Sequence, residues 1–171
     1  AHYVTGLMVR DYVTQGVPGD PMSFAQRFFD HYPKVGLGHW PPFFYLIQTA
    51  WTLPFGTSRG SLLALMAILT AAVATVTYLI LKRFCPDWIS IAGLLVLLTS
   101  TPIVMASRTL MAEMLVTLLS LLALLALASY FRKPRWQPAA LFGVLTALTM
   151  LTKGSGIGSS EVLIQTDFER V

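Results

Sequence analysis

Residues 60–81, GSLLALMAILTAAVATVTYLIL, contain no charged side chain. At about 1.5 Å rise per residue, roughly 22 residues cover the ~30 Å hydrocarbon core of a bilayer, so the stretch reads as a transmembrane helix. The rest of the chain has the same character: 55% of its 171 residues are hydrophobic and 12% charged. Soluble domains carry about a quarter charged residues, so water is not the main solvent.

Working outward, residues 88–107 are also uncharged, with Pro102 near their end. Proline is tolerated in a membrane helix because neighbours satisfy the freed carbonyl. Residues 110–131 are Leu/Ala-rich and interrupted only by Glu113, and residues 137–153 supply a fourth apolar helix. The expected fold is therefore all-α, a polytopic transmembrane bundle of about four helices. Lys82-Arg83 and Arg132-Lys133-Pro134-Arg135 are the basic loops, and short basic loops stay cytoplasmic. Both lie on one side if the second and third helices form a hairpin turning at Arg108 and Thr109. Arg59, Arg108, Glu113, Lys153 and the first 58 residues then share the outer side.

Residues 1–59 read as an outer loop of juxtamembrane helices. Asp20-Pro21 is an N-cap followed by proline at the first helical position, and Gly16 ends the helix before it. After Pro41-Pro42, the apolar positions Phe43, Phe44, Ile47, Ala50 and Trp51 recur at helical spacing. Tyr45, Gln48, Thr49 and Thr52 occupy the other face, and Pro54 and Gly56 stop the run. About a dozen residues do not span a bilayer, so an amphipathic helix lying in the interface is expected. Residues 154–171 form a polar tail, read as either a native segment or a truncated or frame-shifted end.

The net charge of +4 comes without a Lys/Arg cluster interleaved with stacking aromatics, which argues against a nucleic-acid partner. Cys85 is the single cysteine, and His2, His31 and His39 lack metal-ligand spacing, so no metal site is assigned. The chemistry concentrates on the outer side. Glu113 lies about one turn inside its helix, where an ionisable group is costly to embed and needs a partner. Lys153, some 16 residues into the fourth helix, should emerge at the level of Glu113 and Arg108.

The order His39-Trp40-Pro41-Pro42, Pro54-Phe55-Gly56, Lys82-Arg83, Thr101-Pro102-x5-Arg108-x4-Glu113 and Leu151-Thr152-Lys153-Gly154 resembles the GT-C membrane glycosyltransferases. The protein O-mannosyltransferase and aminoarabinose-transferase branch is the nearest likeness. The resemblance covers about residues 1–154 and rests on the order of elements. It implies a polyprenyl-phosphate-linked sugar donor and an inverting transfer on the non-cytoplasmic face. The acceptor is a protein, lipid or glycan, as in protein glycosylation or lipid A modification of a cell envelope.

By resemblance Glu113 matches the acidic position of the second outer loop, and Lys153 matches a Lys-Gly position assigned to donor phosphate. Arg108 is a further phosphate candidate, and His39 and Lys34 are acceptor or loop candidates. The family's principal catalytic Asp belongs to an Asp-Glu pair that Ala1-His2-Tyr3 would directly follow. The sequence thus reads as a fragment lacking that acid and inactive alone. No cofactor is assigned, a divalent ion being left open. A multi-pass protein of a bacterial inner membrane is expected. The rival readings are a transporter or flippase-like protein, whose ionisable groups would sit near the midplane in repeated halves, and a non-catalytic assembly subunit.

Overall fold

The computed structural model describes residues 2–33, 35 and 41–153. Among these residues the structure is helical, with eight helices and no strand. Three lie before the long apolar segments: α1 (His2–Thr14), α2 (Pro21–His31) and α3 (Phe43–Phe55). The others are α4 (Arg59–Leu81), α5 (Asp87–Thr99), α6 (Thr101–Arg108), α7 (Glu113–Arg132) and α8 (Trp136–Thr152).

Local chemistry sets these boundaries. The Asp20 carboxylate accepts from the Ser23 amide at 2.9 Å and Pro21 opens α2, as the sequence predicts. Ser58 caps α4 in the same way, accepting from the Ser61 amide at 3.2 Å. Gly56, at φ 77°, terminates α3 in a conformation that a side chain would resist.

α4 and α7 are each long and apolar enough to cross a membrane. α5 and α6 together meet the same test, but they are bent by 59°, so the single helix expected over 88–107 is broken. Ser100 is extended at φ −65°, ψ 137°, two residues before Pro102. A continuous helix would force the proline ring against the carbonyl four residues back. α8 is apolar but shorter, at 17 residues.

The bundle is apolar on its outer surface as well as in its core, to an extent no soluble domain would tolerate. Val96 is 71% exposed, and Ile68, Leu79, Leu95, Leu124, Val144 and Met150 also face outward. Hydroxyls within the apolar helices are satisfied locally. Thr70, Thr117, Thr146 and Thr149 each donate to the carbonyl four residues back at 2.8 Å, so no polar group is offered to lipid there. The core lies where α3, α4 and α7 meet, around Phe44, Tyr45, Leu65, Met66, Met114 and Leu115.

α3 differs from its expected role. Its buried residues are Phe44, Tyr45, Gln48, Thr49 and Thr52, so the polar stripe faces inward. Leu46, Leu53 and Phe55 point outward. The helix packs on α1, α4 and α8, with Tyr45, Gln48, Thr49 and Thr52 enclosed by protein; Phe44 is buried too, and Phe43, Ile47 and Trp51 pack against the core.

Candidate functional site

Glu113 is the first residue of α7, and Lys153 is the residue that closes α8. α7 and α8 pack on each other more extensively than any other pair and are joined by a short basic loop. That antiparallel hairpin brings the start of one helix beside the end of the other. Lys153 Nζ donates to Glu113 Oε1 at 3.0 Å, across 40 residues of sequence. Each charge also suits its helix end, carboxylate at an N-terminus and ammonium at a C-terminus.

The pair is half-enclosed, the side chains being 35% and 42% exposed for Lys153 and Glu113. Glu113 Oε2 is shut off from solvent and has no hydrogen-bond donor among the described residues. One carboxylate oxygen is thus held by the lysine while the other keeps its capacity to accept.

His2 was not singled out by the sequence reading, yet it belongs to this centre. Its Nδ1 lies 3.0 Å from the Tyr45 hydroxyl, and its ring stacks on Tyr45 and meets the edge of Phe44. Burial pushes the imidazole pKa below its ordinary 6.5; the Glu113 charge opposes that shift and the Lys153 charge adds to it. Burial likewise raises the Tyr45 phenol to about 12, against a hydrogen bond with Thr5. Across the neutral range the phenol stays protonated and the imidazole neutral, which suits donation from Tyr45 to Nδ1. The available sequence signal was position: His2-Tyr3 stands where the resemblance puts the residues after the family's acidic pair.

Arg108 takes no part in the ion pair. It ends α6 and lines a separate cleft of about 400 Å³ with Tyr3, Arg59, Leu62, Leu63 and Leu110. Arg59 opens α4, so two helix ends bring two guanidinium groups over an apolar floor. The lining contains no acidic residue. Consecutive residues of α1 link the features, His2 to the ion pair and Tyr3 to the cleft.

His39 and Lys34 lie outside the described residues, as do Gly154 and the polar tail. Among the described residues no three His, Cys, Asp or Glu side chains gather in a way that could hold a metal ion.

Residues 39–158, well over half of the chain, match the family described as dolichyl-phosphate-mannose-protein mannosyltransferase. No curated protein and no solved structure matches. A bundle with membrane-crossing helices and a match of this length have one reading: the chain belongs to the dolichyl-phosphate-mannose-protein mannosyltransferase family, membrane glycosyltransferases of the mannosyltransferase type.

Proposed function

We propose that this protein transfers a sugar from a polyprenyl-phosphate donor to a protein, lipid or glycan acceptor, with inversion, at the non-cytoplasmic face of a bacterial inner membrane. The observation that carries the reading is the Glu113–Lys153 pair, in a protein that also has a cleft lined by two arginines. Such a transfer forms a bond from an acceptor oxygen to the anomeric carbon and breaks the bond from that carbon to phosphate. The acceptor proton needs a carboxylate, and the departing phosphate needs cations.

Glu113 supplies a carboxylate to the reaction pocket, with Lys153 fixing its orientation and adding positive charge for the donor phosphate. Arg108 contributes to binding that phosphate, helped by the apolar floor under the first carbons of the polyprenyl chain. His39 and Lys34, which fall between α2 and α3 in the sequence, remain the candidates for the acceptor side.

The test is release of polyprenyl phosphate from polyprenyl-phosphate mannose by the intact protein in lipid nanodiscs. Donor-dependent release with inverted product supports the proposal, and none with any such donor overturns it. Sidedness is read separately in intact cells with an impermeant maleimide. Cys85 lies in the α4–α5 loop and should stay unlabelled, whereas a cysteine at Gln15 in a Cys85→Ser background should label. The opposite pattern would reverse the assigned face.

A further inference from the structure

Gln48 is fully buried in α3, and neither atom of its carboxamide has a hydrogen-bond partner among the described residues. Enclosing an amide in this way is costly, and an apolar side chain of similar size would fill the space at less cost. What it touches is specific. Gly6 of α1 lies directly against the carboxamide, and a Cβ placed on Gly6 would overlap it. Gly6 is helical and has no positive φ, so its lack of a side chain serves this contact and not the backbone conformation.

One turn away the same two helices meet again. His2 is four residues before Gly6, and Tyr45 is three before Gln48, spacings that place each pair on one helix face. His2 Nδ1 and the Tyr45 hydroxyl are 3.0 Å apart, and Thr5 bonds to the same hydroxyl. The α1–α3 contact is thus a ladder with two rungs, Gly6 on Gln48 and His2 on Tyr45. Its second rung packs into the core that holds Phe44, Tyr45 and Met114, the residue next to Glu113, and the charges of the Glu113–Lys153 pair act on His2.

We infer that Gln48 is a positioning residue: its carboxamide, seated on Gly6, sets the register of α1 along α3 so that the His2–Tyr45 rung brings the imidazole to the Glu113–Lys153 pair. The inference rests on that pair being the transfer centre. A shift of α1 by even an ångström would move His2 off the pair while leaving α4, α7 and α8 in place. Misplacement on that scale lowers catalysis by about ten- to a hundredfold without abolishing substrate binding.

The experiment measures kcat and donor KM for mannosyl transfer by the intact protein in nanodiscs, using Gly6→Ala, Gln48→Ala, His2→Gln and their pairs. Gly6→Ala should lower kcat about ten- to a hundredfold with donor KM held within about twofold. Adding Gln48→Ala should recover part of that loss, since the methyl group then has room. In a His2→Gln background Gly6→Ala should cost no further kcat, because the residue through which it acts is already gone. Losses that multiply in that background, or no recovery in the Gly6→Ala/Gln48→Ala pair, would overturn the inference.

If Gly6→Ala does not fold, Gln48→Ala alone decides. A reduced kcat that vanishes as a separate effect in the His2→Gln background supports positioning, and a wild-type kcat overturns it. Glu113→Gln separates the two levels. Full activity in that variant removes the transferase centre itself. An inactive Glu113→Gln beside a fully active Gln48→Ala removes only the positioning role.

Discussion

Two lysine–carboxylate pairs stand in different parts of this molecule, and they differ in nearly everything except their chemistry. Lys82 and Asp87 meet at 3.3 Å in the short α4–α5 loop, with side chains 52% and 63% exposed. Asp87 raises the Lys82 pKa, chiefly through their hydrogen bond, and water screens the rest. Lys153 and Glu113 meet at 3.0 Å between helix ends 40 residues apart, with the carboxylate's second oxygen enclosed. The first pair is a by-product of loop geometry. The second exists only because α7 and α8 fold back on each other, and both of its charges act on His2.

This contrast can be broken or sharpened by substitution. Lys153→Met removes the partner of a half-enclosed carboxylate and, under the proposed function, a cation for the donor phosphate. It should lower mannosyl transfer by about a hundredfold, read as initial rate at saturating donor. Arg108→Ala should act on binding instead, raising donor KM about tenfold while kcat changes little, since a charged hydrogen bond to phosphate is lost. Were Arg108→Ala to leave KM untouched, the cleft would not be where the phosphate binds.

The pH response of the purified protein should come from the second pair's surroundings. His2 is held below its ordinary pKa, so the folded state binds fewer protons than the unfolded state as pH falls past 6.5. The stability that a neutral His2 contributes is present above 6.5 and declines as pH is lowered toward the depressed value. Thermal melting between pH 7.5 and 5 should show this loss, and His2→Gln should flatten it. An equal slope in the variant would place the titrating group elsewhere. Smallest of all, Lys82→Met should leave transfer within about twofold of wild type, because an exposed loop pair has little to contribute.

Much of this was legible beforehand, and the reason is geometric. Counting about 1.5 Å per residue along α8 places Lys153 at the level of Glu113, and the structure joins them directly. The Asp20 cap and the Gly56 stop are local chemistry that reads the same in any solvent. The α5–α6 break was hidden because Pro102 is compatible with either a kinked membrane helix or an interrupted one.

The face of α3 was hidden for a different reason. Periodicity reveals two faces but not which one the protein covers. In water the apolar stripe goes inward; here Tyr45, Gln48, Thr49 and Thr52 are covered and Leu46, Leu53 and Phe55 are not. His2 was weighed only as a metal ligand because its significance lies in contacts with α3 and in charges at the ends of α7 and α8, which no spacing near the start of the chain encodes. Arg59 was placed on the outer side with Arg108, but that the two line one cleft requires the fold.

The central claim is that the Glu113–Lys153 pair works in the transfer and does not merely staple α7 to α8. Exchanging the two residues, Glu113→Lys with Lys153→Glu, keeps an ion pair at the same place but reverses which end carries the carboxylate. Mannosyl transfer by the intact exchanged protein in nanodiscs, with its melting temperature as the check on folding, tests the claim most directly. The exchanged protein should fold, with transfer at least about a hundredfold below wild type. Near-wild-type transfer by the exchanged protein would contradict it.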